Sequence, residues 1–99
     1  MLLIVGTVSF PPDRMAETRP AMERMITASR QEDGCIGYSY AEDVLEPGLI
    51  HVSEAWRDEA CLAAHFASDH LASWRAACAA VGAFDRRLSL YEVGTPRTV

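Results

Sequence analysis

From Leu2 through Leu3, Ile4 and Val5 to Val8 and Phe10 the chain is apolar at odd and even positions alike, which predicts a strand covered on both faces of a sheet. Pro11-Pro12 ends it. Asp13 is expected to cap a helix in which Met15, Met22, Met25, Ile26 and Ser29 recur at helical spacing while Arg14, Glu17, Glu23, Arg24 and Arg30 face water. Pro20 must kink this helix or begin its regular part. Asp33-Gly34 stops it, and Cys35 to Val44 reads as a second strand. Ile36, Tyr38 and Tyr40 fall on one face of that strand, and Cys35, Gly37, Ser39 and Ala41 on the other. Glu46-Pro47-Gly48 turns the chain back into Leu49 to Trp56, with Ile50, Val52, Glu54 and Trp56 sharing a face. Asp58 opens a second helical region, about Glu59 to Val81, striped by Leu62, Phe66, Leu71, Trp74, Cys78 and Val81. Gly82 lets the chain leave it, and Leu88 to Val93 forms a last strand before a short tail.

The order strand, helix, strand, strand, helix, strand predicts an α+β, ferredoxin-like β-α-β-β-α-β fold with a four-stranded antiparallel sheet. Right-handed crossovers place both helices on one sheet face. The whole chain, 1–99, is expected to be one domain with a core at about 2–93 and a tail at 94–99. Nothing in the chain covers the other sheet face, and the first strand is apolar on that side too. A homodimer through the open sheet face is the expected arrangement.

Composition narrows the function classes. A formal net charge of -5, from 14 acidic and 9 basic residues, leaves no basic stripe of the kind that follows a phosphate backbone, so nucleic acid is not an expected partner. Every basic residue is arginine, which excludes Schiff-base catalysis and a P-loop lysine. Cys35, Cys61 and Cys78 make neither a disulfide framework nor a zinc-ligand spacing, and reduced thiols predict a cytoplasmic location. The apolar run Met1 to Val5 is too short for an export signal, and no stretch is long enough to span a membrane. Dinucleotide, Walker A and nucleophile-elbow motifs are absent.

Candidate chemistry gathers in the second helical region. His65 and Asp69 are four residues apart, as are His70 and Trp74, so on one continuous helix each pair would touch. A histidine beside a carboxylate has its tautomer fixed and its basicity raised, which makes His65 the candidate general base and Asp69 its orienting partner. Trp56, Phe66, Trp74, Tyr38 and Tyr40 could supply flat apolar walls for a small aromatic molecule, although core packing explains most of them without a ligand. Glu54 shares a face with Val52 and Trp56, and a buried carboxylate needs a partner, for which Arg75 or a second subunit is available. Thr7 and His70 are further candidates for contact with a ligand. His51 alternates onto the opposite face, where a structural role is expected. Neither H-x-x-x-H nor C-x-x-C occurs, so no metal site and no cofactor are expected.

Gly34-Cys35-Ile36-Gly37-Tyr38, Glu54-Ala55-Trp56 and Ala64-His65-Phe66-Ala67-Ser68-Asp69-His70-Leu71 together resemble the antibiotic biosynthesis monooxygenase family of dimeric α/β barrels, over Leu2 to about Val93. The resemblance implies a pocket between sheet and helices. The haem-degrading branch of that family relies on an Asn, a Trp and a His, whose places fall on Thr7, His65 and Arg75, so haem degradation is not expected. The helix with His65 and His70 is more similar to the quinol-oxygenase and signal-isomerase branches. The oxygenases work without metal or flavin, and the implied function is cofactor-independent oxidation of a small aromatic or quinol-type substrate by O₂. A cofactor-free isomerase and a non-catalytic small-molecule-binding dimer remain the alternatives.

Overall fold

The computed structural model describes residues 1–99 and contains four strands and three α-helices. The strands are β1 (Leu2–Ser9), β2 (Cys35–Glu42), β3 (Leu49–Trp56) and β4 (Phe84–Glu92); the helices are α1 (Met15–Arg30), α2 (Glu59–Phe66) and α3 (Asp69–Val81). The sheet order is β2-β3-β1-β4, antiparallel at every pairing, which is the ferredoxin-like arrangement. No helix is long and apolar enough to cross a membrane.

Alternation along the central strands sets the inner layer. Leu2, Ile4 and Val8 of β1 and Ile50, Val52, Glu54 and Trp56 of β3 are buried beneath the helices, where Met22 and Met25 of α1, Leu62 of α2 and Leu71, Trp74 and Val81 of α3 complete the core. Leu3, Val5 and Thr7 point to the opposite face, each only partly covered within one chain.

Local structure departs from the expected pattern at five places. Asp13 does not cap α1: it lies in a 3-10 turn, Pro12–Arg14, that leads into the helix without a side-chain cap. Pro20 sits inside α1, and the Ala16 carbonyl it leaves without a helical donor is on an exposed turn where water can serve it. Ile36 does not share a face with Tyr38 and Tyr40. The register slips by one residue between Cys35 and Gly37, so Ile36 is the extra residue of a bulge, 59% exposed, and Cys35 packs on the core instead. The last strand begins at Phe84, four residues earlier than the sequence suggested, because it continues past a second bulge between the Thr7–Arg87 and Ser9–Phe84 pairings.

The fifth departure matters most for function. The second helical region is two helices, not one. Asp58 caps α2 by accepting from the Cys61 backbone N–H at 2.9 Å, as expected. The chain then breaks at Ala67-Ser68, where Ser68 caps α3 and its hydroxyl also donates to the His65 carbonyl at 2.6 Å. Phe66, at the end of α2, is consequently 45% exposed and leaves the core stripe.

The turn Glu32-Asp33-Gly34 that joins α1 to β2 is pressed against the start of α2. Gly34 has φ +79°, and a Cβ there would lie 2.3 Å from Cys61 Sγ. Asp33 holds Arg57 through two hydrogen bonds of 3.1 and 2.8 Å, and that pairing keeps the Asp33 carboxyl below the usual carboxylate range. Gly34→Ala is expected to lower stability by about 1–3 kcal/mol, through the left-handed backbone and the clash together. Thermal unfolding monitored by circular dichroism checks this, and an unchanged midpoint would contradict the close packing of the turn.

Candidate active site

The fixed position of that turn delivers a carboxylate to the helix break. Glu32 Oε1 lies 2.7 Å from His65 Nδ1, at the end of α2, and 2.5 Å from His70 Nε2, in the first turn of α3. One carboxylate oxygen thus joins three segments of the chain. His65 is 1% exposed, whereas the His70 and Glu32 side chains are 26% and 16% exposed, so the triad runs from the interior to the surface. The His65 ring is packed among Trp56 (centroids 4.6 Å apart), Tyr38 (5.4 Å) and Phe66 (5.9 Å). A buried imidazole needs its polar atoms met, and Glu32 accepts the Nδ1 proton. The lone pair of the neutral ring is thereby assigned to Nε2.

His65 also lines a cavity of about 500 Å³ that lies between the sheet and α3 and opens beside β4. Its walls are mostly apolar, with Ile4, Val8, Leu71, Trp74, Leu88 and Leu90 among them, and its polar members include Tyr38, Tyr40, Glu54, Arg75 and Arg86. Tyr38 and Tyr40 are stacked, 5.8 Å between centroids, and burial pushes both hydroxyls above the usual phenol range, so they are donors at any ordinary pH. Burial likewise raises the Glu54 carboxyl, against the opposing effect of the Trp56 indole N–H, which donates to Glu54 Oε1 at 3.0 Å. Cys78, on the α3 wall, is pushed up to about 11 by burial and is a thiol rather than a thiolate.

The expected site residues therefore separate into two groups. His65, Tyr38, Glu54, Phe66 and Trp74 meet around the cavity. Trp56 does not form a wall: it is fully buried behind His65 and Glu54 and acts through the indole hydrogen bond. Thr7 is excluded, because it pairs with His51 and Arg87 on the opposite sheet face. Asp69 does not orient His65. The helix break puts it at the exposed N-terminus of α3, and Glu32 occupies the place assigned to it. His70 is outside the cavity and reaches the site through Glu32 and through its ring, which lies 5.9 Å from that of His65 between centroids. Glu54 finds its partner in Trp56 rather than Arg75. His51, on the outer face, bonds Asp43 at 2.8 Å in an exposed pair.

Sequence reasoning overlooked Glu32, Arg86 and the β4 residues of the wall. It also overlooked that Glu32, His65 and His70 offer three ligand atoms within 4.8 Å of one another, a donor set that suits a divalent transition metal. The 2.7 and 2.5 Å separations are hydrogen-bond lengths, shorter than the ~3.3 Å that two ligands keep across a tetrahedral zinc ion. Without an ion the three groups form a hydrogen-bonded triad.

Comparison with known proteins agrees with this architecture. The family described as "Antibiotic biosynthesis monooxygenase" matches residues 1–77. Over 65 residues, 66% of this chain, the sequence is 35% identical to the Synechocystis protein "Uncharacterized protein sll1783", covering 44% of that protein. It is 34% identical over 65 residues to "Putative monooxygenase Rv0793" of Mycobacterium tuberculosis, covering 63% of it. The matched region is thus less than two thirds of either relative. A crystal structure titled as a "putative antibiotic biosynthesis monooxygenase" from Deinococcus radiodurans superposes with a TM-score of 0.91 at 27% identity, over 100% of this chain and 98% of that one. The Rv0793 structure superposes with a TM-score of 0.77 at 24% identity over 98% and 96%, a likeness of fold. By sequence match and by fold, the chain belongs to the antibiotic biosynthesis monooxygenase family.

Proposed function

We propose that this protein is a cofactor-independent monooxygenase that oxidises a small aromatic, quinol-type or enolisable substrate with O₂. The observation that carries the reading is the Glu32–His65 pair at the wall of an apolar cavity: Nδ1 is held at 2.7 Å by the carboxylate, which leaves Nε2 as the basic nitrogen. In the proposed reaction Nε2 takes a proton from a phenol or from a carbon acid next to a carbonyl. The resulting electron-rich anion passes one electron to O₂, the two radicals combine to form a C–O bond, and loss of water from the peroxide leaves a new carbonyl. One O₂ is consumed, and one oxygen atom enters the product while the other leaves as water. Tyr38 and Tyr40, which stay protonated, are the donors available to the substrate oxygen anion. Trp74 and the aliphatic wall keep water away from the radical pair. A non-catalytic binder would be favoured by an exposed His65 and a filled cavity, whereas His65 is 1% exposed and the cavity measures about 500 Å³.

Oxygen uptake by the metal-free protein, given a panel of hydroquinones and anthrones, tests the reading. Uptake is expected to exceed autoxidation, to fall by about 10²–10⁴-fold in His65→Gln and by a smaller factor in Glu32→Gln. Uptake unaffected by His65→Gln would sink the base assignment, and conversion of a substrate without oxygen would move the reading to an isomerase.

We also propose a homodimer through the sheet face that the helices leave open. Leu3 and Val5 of β1 lie on that face with Tyr91 of β4, which is 52% exposed in the single chain. Light scattering on the eluting protein should give twice the 10.9 kDa of one chain, and Val5→Glu should give a monomer. A wild-type mass of one chain would refute the pairing.

A further inference from the structure

Two cationic side chains, Arg75 of α3 and Arg86 of β4, line the cavity, and both are exposed, so they stand at its solvent edge. Of the nine arginines, Arg14 and Arg57 are committed to carboxylates and Arg30 donates to the Tyr38 carbonyl, whereas neither Arg75 nor Arg86 has a carboxylate within salt-bridge distance. Arg19, Arg24, Arg87 and Arg97 are without a carboxylate partner as well, so what sets Arg75 and Arg86 apart is their place on the wall of an apolar cavity.

Arg86 stands next to a bulge in β4 and on the strand's inner row. Between the Thr7–Arg87 and Ser9–Phe84 pairings β4 advances three residues while β1 advances two, and Asp85 takes up the extra residue with φ +49°. Arg86 alternates with Leu88 and Leu90 on the inner face and so joins the cavity wall, while Arg87 pairs beside Thr7 on the outer face. The charge of Arg86 reaches the interior, since it lowers both the Glu54 carboxyl and the Cys78 thiol, two groups of the same cavity, against the larger effect of their burial.

We propose that the ligand of this cavity is an aromatic anion, a flat apolar ring system bearing one carboxylate, with the ring inserted toward His65 and Trp74 and the carboxylate held at the mouth by Arg75 and Arg86. A guanidinium fork matches a carboxylate in shape and charge, and two of them on separate elements would fix one end of the ligand. Glu54 sets the orientation, because a ligand anion beside that carboxyl would be repelled while the apolar ring is not. The inference takes the cavity as the substrate site, in line with the proposed function, and names the class of substrate it admits.

Binding is measured without turnover, by quenching of tryptophan fluorescence or by calorimetry, with 2-naphthoate and its neutral isostere 2-naphthamide as probes. Naphthoate is expected to bind about tenfold more tightly than naphthamide, with the advantage shrinking as salt is added. Arg75→Gln and Arg86→Gln should each remove part of that preference, and the double variant all of it, with naphthamide binding unchanged. Both residues are exposed, so the variants are expected to fold, which circular dichroism verifies. Equal binding of the two probes, a preference that survives in the double variant, or binding of neither would overturn the proposal. A preserved anion preference with no oxygen uptake would instead refute the oxygenase reading and leave this one standing.

Discussion

A buried imidazole cannot be left with its N–H unpaired, and the site of this protein is organised around that constraint. An unsatisfied polar group in the interior costs about 1–3 kcal/mol. His65, 1% exposed, is satisfied by a carboxylate from a turn 33 residues away, and the same oxygen takes His70. Three segments are thereby locked: the turn after α1, the end of α2 and the start of α3. The features around them serve that junction. Gly34 allows the turn to approach Cys61, the Asp33–Arg57 pair anchors it, and Ser68 both caps α3 and ties back to the His65 carbonyl.

The chemistry follows from the same contact. Fixing Nδ1 determines which nitrogen is basic, and the packing of Trp56, Tyr38 and Phe66 about the ring determines where that nitrogen can point. Trp56 acts at one remove, holding Glu54 by its indole N–H and supporting the ring of His65, so that two of the cavity's polar side chains rest on one buried residue. The inner row of β4 adds the other polar end of the cavity, since Arg86 alternates with Leu88 and Leu90 onto its wall. The cavity is thus apolar in its body, basic at one point in its wall, and positive at its opening.

Much of this was legible in the sequence, for identifiable reasons. The strands, their faces and the sheet topology are written in short-range periodicity, which is why Leu49–Trp56 appears with its expected bounds and its expected inner row of Ile50, Val52, Glu54 and Trp56. His65, Tyr38 and Trp74, expected from the facing of their elements, do meet at the cavity, and Phe66 lines it too although the helix break takes it out of the core stripe. What periodicity does not encode is a single extra residue or a break. The bulge at Ile36 and the interruption at Ser68 each reverse an assignment made by counting, and the second removed Asp69 from His65. Glu32 escaped notice because it sits in a turn, remote in sequence from both histidines it joins. Thr7 was misplaced for a simpler reason: the first strand is apolar on both faces, so its pattern does not say which one the helices cover.

The tautomer of His65 is the most direct test of this account. Long-range proton–nitrogen correlation NMR of the imidazole rings distinguishes a protonated nitrogen from one carrying a lone pair. The account predicts that neutral His65 is protonated at Nδ1 with its lone pair on Nε2, and that Glu32→Gln weakens this preference. A neutral His65 protonated at Nε2 in the wild-type protein would contradict it, because the nitrogen left free by Glu32 would then carry the proton.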